Sequence, residues 1–431
     1  MTIQMIVCLV IFLGVIIGFA TNVLPLAQTA MIGMVLMVLT GCLDGTDAIS
    51  YFASTTVVML GGIFIVASAF AKTQVVNQIS HFVVRISNGS LFKVTAGYVL
   101  MALVVGQLLN SSSALFCMTY PLAVACCKEL KVSPSKLIYP IGITCMATSG
   151  IIPSTAAVSM CEVWRPFFDA YEITEYTFSV GDYCLARLPL ALLVVVLAIF
   201  VVPRFLPNNT SLDLFSEKNE TPENKPAAYT PLQEKVVIAV FIAVILGIAL
   251  GSKIGIAGWL VCMIGALIII VCKAIKGNEI YTSMGLTVIF LCVGGTGMAT
   301  ALQQTGTAEL IGQFLIGIFG SNPNSYLVGV VFFFVPCLVA QFLTNAPTNY
   351  IFVPICLMAC KAFGGNPVGP MFLVISGSLC GFVTPMANPT ASIMYGVGGY
   401  KLSDIIKIGP LLLIAVGLVS VAWVMTIFPL Y

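Results

Sequence analysis

Residues 108–116 read LLNSSSALF, and residues 342–352 read FLTNAPTNYIF. Each is a small polar break around one asparagine, Asn110 or Asn345, within a long apolar stretch, 94–127 or 325–360. The first stretch is 34 residues long. As unbroken helix it would reach ~51 Å at 1.5 Å per residue, too long for one crossing. Two full crossings of a ~30 Å hydrocarbon core, with a turn, need at least ~40 residues. A re-entrant hairpin fits the length: two short arms enter and leave by the same face, with the asparagine near the tip. Irregular backbone at membrane depth survives only where protein buries it or a wet cavity receives it. The two tips are therefore where chemistry is expected.

Membrane depth follows from composition. Of 431 residues, 59% are hydrophobic and 8% charged, against about 25% charged in a soluble domain. Apolar stretches long enough to span recur from end to end, the first starting at Ile3 with no basic segment ahead of it, so it is read as a span and not a cleaved signal. Fifteen cysteines sit mostly inside apolar segments and read as polarizable packing residues. The net charge of +2, with no basic run, gives no footing for nucleic acid.

One stretch breaks the apolar pattern. PRFLPNNTSLDLFSEKNETPENKPAAYTPLQEK, residues 203–235, is proline-rich and carries nine charges; it reads as a solvated linker. The two sides of it match. Gly61-Gly62 followed by Lys72-Thr73 parallels Gly294-Gly295 followed by Gln304-Thr305. The asparagines follow 48 and 50 residues after the glycine pairs, and proline-containing breaks (SGIIPSTAA at Pro153, TPMANPTAS at Pro385) follow 43 and 40 residues after those. Order and spacing both repeat, which marks an internal duplication. The predicted organisation is an all-α integral membrane protein of two repeats, 1–206 and 233–431, joined by a cytoplasmic linker at 207–232. Each repeat has five spans, one hairpin (94–127 or 325–360) and one broken helix (136–160 or 367–396). The other spans fall near 3–20, 24–42, 50–71, 183–203, 233–251, 254–272, 281–304 and 408–429. Five is odd, so the second copy is expected to be inverted. Putting both termini outside places fourteen of the eighteen Lys and Arg on the inner face and leaves only Arg165, Arg187, Lys253 and Lys361 outside, the bias expected of cytoplasmic loops.

No Asp, Glu, Lys, Arg or His is predicted deep within any span or hairpin. The single histidine, His81, lies in HFVVRISNGSLFK, read as an interfacial helix on the inner face. A proton relay, a bound transition metal and nucleophile–base catalysis all lack residues, so an enzyme is disfavoured. What remains is neutral and polar. A broken helix presents backbone N–H groups with partial positive charge to an anion, and Asn, Ser and Thr add donors and acceptors. For a single Ser or Thr, gluing helices together is the commoner role; duplicated asparagines at matching places point to a site.

These residues resemble the divalent anion:sodium symporters. The likeness is most specific in GFVTPMANPTASIMYGVGGYKLSDIIKIG, Gly381 to Gly409, and in Val58-Met59-Leu60-Gly61-Gly62. That family carries a Ser-Asn-Thr signature at each hairpin tip and a Thr-Pro-Pro-Asn-like break in each facing span. The signatures fall on Leu109-Asn110-Ser111 and Thr344-Asn345-Ala346, and the breaks on Asn388-Pro389-Thr390-Ala391 and near Pro153-Ser154-Thr155. The resemblance implies a homodimer held by scaffold helices, an elevator-type movement of each transport domain, a small anionic substrate between the tips, and flanking sodium ions held mostly by backbone carbonyls. Carried over, the substrate set is Asn110, Ser111, Ser113, Ser154, Thr155, Asn345, Thr348, Asn388, Pro389 and Thr390; the cation set is Thr344, Asn345 and Asn110. Leu109 removes a hydroxyl at the first cation site and Ala346 one against the substrate, while Asn388 stands where threonine is usual. The expected function is a sodium-coupled carrier of a dicarboxylate such as succinate or malate, with sodium as coupling ion and no other cofactor, in a bacterial inner membrane. The alternatives are anion:anion exchange without net sodium flux, another small anion, a channel, or a scaffold without transport.

Overall fold

The computed structural model describes residues 2–21, 24–74, 90–109, 111–130, 133–207, 229–254, 256–320, 323–385 and 387–431. Asn110, the His81 segment and most of the linker lie outside the described residues. Among the described residues every regular element is helical. The principal ones, in chain order, are α1 (Ile3–Thr21), α2 (Leu26–Leu39), α3 (Thr55–Ala71), α4 (Leu91–Val105), α5 (Ser112–Leu130), α6 (Ser135–Ala147), α7 (Thr155–Ala170), α8 (Val180–Phe200), α9 (Pro231–Ile254), α10 (Gly258–Val271), α11 (Leu286–Gln304), α12 (Thr307–Phe319), α13 (Ser325–Val339), α14 (Asn345–Phe363), α15 (Val368–Ser378), α16 (Pro389–Gly398) and α17 (Gly409–Ile427).

Hydrophobic side chains occupy both the interior and the outer surface. Ile3, Val10, Leu39, Val196, Leu267, Val271, Leu411 and Leu418 are exposed, and six helices among the described residues are long and apolar enough to cross a bilayer. An apolar exterior over an apolar core is stable only with lipid as solvent; this is an integral, multi-pass membrane protein.

Both apolar stretches 94–127 and 325–360 fold as paired helices, α4 with α5 and α13 with α14, that pack on each other. The second arms run 19 residues each, ~28 Å of helix, longer than the short arms the sequence predicts. They continue beyond the apolar stretch into its charged C-terminal end, as Lys361 in the last turn of α14 shows. Both predicted broken helices are interrupted, α6 from α7 at 148–154 and α15 from α16 at 379–388. The first runs on past residue 160: α7 continues through Pro166 to Ala170 and brings Glu162 and Arg165 into the helix.

The glycine pairs explain two close helix crossings. Helix α3 packs on α10, and α11 on α2. A Cβ at Gly62 would lie 2.8 Å from the Cys262 backbone carbon, and one at Gly294 2.7 Å from that of Ala30. Backbone cannot yield as a side chain can, so only glycine permits these distances; small residues at interfaces are how helices approach closely where lipid offers no hydrophobic drive. Gly62→Val and Gly294→Val are expected to lower the melting temperature in detergent sharply, each losing about 1–3 kcal/mol to overpacking. Gly14→Ala, where the added carbon meets nothing within 4 Å, should stay within about 0.5 kcal/mol of wild type.

Candidate functional site

The site is built from helix ends. Four helices, α5, α7, α14 and α16, begin at the hairpin tips or the breaks, and the first turn of each has N–H groups without partners inside its own helix. Ser154 caps α7, its Oγ accepting from Ala157 N at 3.4 Å. Asn388 caps α16, its Oδ1 accepting from Ala391 N at 2.9 Å, and Pro389 follows at the first helical position, where its missing N–H costs nothing. Thr344 precedes α14 with no side-chain cap.

Each break is clamped to its hairpin by a glutamine. Gln107 Nε2 donates to Thr148 O at 2.8 Å, and its Oε1 accepts from Ile151 N at 2.9 Å. Gln341 Nε2 donates to Cys380 O at 3.2 Å, and its Oε1 accepts from Val383 N at 3.1 Å. Each also returns a bond to the carbonyl four residues back, Leu103 or Cys337. The clamp has the same wiring on both sides of the linker. Sequence reasoning missed both residues, although their position just ahead of Asn110 and Asn345 in otherwise apolar arms was a usable signal.

The N-terminal hairpin reaches the C-terminal break. Ser113 Oγ lies 3.0 Å and Ser112 Oγ 3.2 Å from Thr390 Oγ1, and Thr390 is fully buried. Asn388 Nδ2 donates to Gly381 O at 3.1 Å and lies 3.0 Å from Met146 Sδ on α6. Helix α6 is further pinned to the same break by Tyr139, whose hydroxyl donates to Phe382 O at 3.2 Å. Ser113, Asn388 and Thr390 are thus brought together, with Pro389 exposed beside them and Ser111 exposed at the turn into α5; Ser112 and Met146 are additions.

The other predicted residues lie at the starts of α7 and α14. Helix α7 meets α14 through Trp164 and Tyr350, ring centroids 4.8 Å apart. Thr155 Oγ1 at the start of α7, and Asn345 Oδ1 and Asn349 Oδ1 in the first turns of α14, are buried without hydrogen-bond partners. Asn345 and Asn349 are one helical turn apart and share a face. Thr348 donates instead to Thr344 O, at 3.1 Å. Buried acceptors without donors call for water, an ion or a ligand. Among the described residues no hydrogen bond joins these three oxygens to Ser113 or Thr390.

A cavity of about 610 Å³ reaches the first break past Pro153 and Val158, between α7 and the ends of α3, α8, α9 and α10. In its wall Glu162 pairs with Arg165 at 3.2 Å, and the guanidinium stands over Phe178, 5.8 Å from the ring centroid. One expectation fails: charge is not absent from the interior. Arg187, placed at the membrane edge by the sequence reading, is 1% exposed. It donates to Ala147 O at 2.7 Å, to Ser149 O and to Tyr183 Oη at 3.1 Å. The helix carrying it starts earlier than predicted, at a capping box of Ser179 and Asp182, which draws Arg187 inward. His, Cys, Asp and Glu form no group suited to a metal among the described residues, and none of the fifteen cysteines is in a disulfide.

Fold and site define an integral membrane protein with two interrupted helices, each clamped to a helical hairpin. The profile of the citrate transporter family, CitMHS, matches residues 16–315 and 248–431; the chain belongs to this family. An uncharacterized transporter of Synechocystis is 28% identical over 193 residues, 45% of this chain and 31% of that protein, so the match spans about a third of that relative's length. An uncharacterized transporter of Haemophilus influenzae is 22% identical over 402 residues, 91% of this chain and 85% of that one. A sodium-dependent high-affinity dicarboxylate transporter of Caenorhabditis elegans is 26% identical over 28% of this chain and 21% of that one, in keeping with the resemblance to the divalent anion:sodium symporters. In fold, the chain is similar to MtrF of Neisseria gonorrhoeae, described among antimetabolite efflux pumps, with a TM-score of 0.64 at 14% identity over 90% of this chain and 84% of that one.

Replacing Gln107 or Gln341 by the near-isosteric leucine is expected to cost about 1–3 kcal/mol each, because buried break carbonyls and amides lose their only side-chain partner. Thermal unfolding of the purified variants measures this.

Proposed function

We propose that the protein is a secondary active transporter of a small carboxylate-type anion, with a dicarboxylate such as succinate or malate the first choice, coupled to sodium. Repeats 1–206 and 233–431 stand in inverted orientation, with 207–232 as a cytoplasmic linker and both termini outside. The protein works as a homodimer joined through scaffold helices in a bacterial inner membrane, and moves its substrate by an elevator-type cycle.

The observation that carries this reading is the meeting of Ser112 and Ser113 with Thr390. A hairpin from one side of the linker touches a helix break from the other, among helix N-termini whose N–H groups favour negative charge. Ser111, Ser113, Asn388, Pro389 and Thr390 hold the anion on one side, with Asn110 at the same tip; Asn345, Thr348, Ser154 and Thr155 serve it from the other. Sodium goes to Thr344 and Asn345, where the unpartnered Oδ1 offers the oxygen ligand a hard cation takes. Membership of the citrate transporter family supports a carboxylate substrate, and the nematode relative's name supports the choice of a dicarboxylate. Exchange without net sodium flux is the second reading, favoured by Leu109 and Ala346, which lack the hydroxyls of the signature.

Uptake into proteoliposomes from a panel of anions, each with and without a sodium gradient, tests the substrate and the coupling. Accumulation of a dicarboxylate only under a sodium gradient is expected; counterflow without sodium would establish exchange. Asn345→Ala and Asn110→Ala should reduce uptake by at least ~100-fold, about 2.7 kcal/mol, with normal expression. Wild-type rates in both variants would overturn the site.

A further inference from the structure

The two breaks satisfy their carbonyls by different means. The glutamine clamps set the register: Thr148 in the first break corresponds to Cys380 in the second, so Ala147 and Ser149 correspond to Leu379 and Gly381. At the first break, Ala147 O and Ser149 O both accept from the guanidinium of Arg187. At the second, Gly381 O accepts from the neutral amide of Asn388 at 3.1 Å. Helix α17, which packs on α15 as α8 packs on α6, contains no charged residue.

Arg187 sits in an enclosed seat. Its ring neighbour Tyr183 lies 5.5 Å from the guanidinium carbon, and among the described residues no carboxylate pairs with it. The chain bends around it at Gly150, φ +77°, where a Cβ would stand 3.0 Å from the Tyr183 ring and 3.5 Å from Arg187 Nη1. Carbonyls at the end of an interrupted helix carry partial negative charge and are the ligands that carriers present to a coupling cation. A guanidinium holds a fixed positive charge and five donors, and a charge buried without such partners would be strongly destabilising.

We propose that Arg187 is a built-in cation: its guanidinium occupies the carbonyl seat at the end of α6 that an exchangeable monovalent cation would otherwise fill. The first break then needs no sodium. Cation binding is confined to the C-terminal side, where Asn345 and Asn349 keep neutral, unpartnered oxygens. This rests on the proposed transport reading for its consequence, one coupling cation at most, but not for the seat itself.

The test uses the full-length protein purified in detergent and follows thermal stability in NaCl, choline chloride and guanidinium chloride at matched ionic strength. Arg187→Ala should be less stable than wild type and regain stability from millimolar guanidinium, while guanidinium leaves wild type unchanged or less stable. Sodium should raise the melting temperature of Arg187→Ala more than that of wild type, with choline without effect, and Arg187→Lys should need neither salt. Guanidinium and sodium acting alike on wild type and on Arg187→Ala would overturn the proposal. Should Arg187→Ala not fold, sodium titration of wild type decides: a Hill coefficient near 1 or no sodium response supports it, and a coefficient near 2 overturns it. Failure of every anion in the transport panel would remove the transport reading and leave the stability result standing.

Discussion

An interrupted helix inside a bilayer frees carbonyls on one side of the gap and amides on the other, and no lipid can take either. Most of what is distinctive here answers that demand. Gln107 and Gln341 each supply a donor and an acceptor to a break while remaining tied to their own helix. Ser154 and Asn388 cap the helices that restart. Tyr139, Tyr395, Thr384 and Ser392 take further positions at the longer second break. With these groups satisfied, the remaining unpartnered atoms, among them Thr155 Oγ1, Asn345 Oδ1 and Asn349 Oδ1, stand out against a background that leaves little to chance.

Much of this was legible in the sequence because lipid imposes a length rule. Spans predicted at 3–20, 183–203 and 408–429 fold as Ile3–Thr21, Val180–Phe200 and Gly409–Ile427; ends move by a few residues, where caps and not hydropathy decide. That 94–127 and 325–360 each divide into two helices was legible for the same reason, since 34 residues are already too many for one crossing; the 19-residue length of the second arms was not. The breaks were visible as proline among small polar residues. Hydropathy carries no pairing information, so which hydroxyl meets which could not be read: Ser113 with Thr390 is a contact across 277 residues. Arg187 was misplaced because a charged residue near a predicted span end is ordinarily drawn outward, whereas the capping box at Ser179 and Asp182 starts the helix earlier. Glu162 was missed because the broken helix was ended at residue 160, although α7 runs on through Pro166 to Ala170.

Two sets of contacts cross between the N-terminal and C-terminal parts, besides the packing of α8 on α15 and α17. In one, α3 lies on α10 and α2 on α11 at glycine crossings, backbone against backbone. In the other, α5 and α6 hold the second break: Ser112 and Ser113 on Thr390, Met146 on Asn388, Tyr139 on Phe382, and Tyr400 on Ser135 O. The first set is steric, built on the absence of side chains, and the second is polar. A dense polar set of this kind binds the interrupted helices and hairpins of both parts into one body, since shifting any member orphans several buried groups at once. Helix α7 packs on α3 and α11 of the first set and on α8, and carries the Glu162–Arg165 pair where the cavity opens.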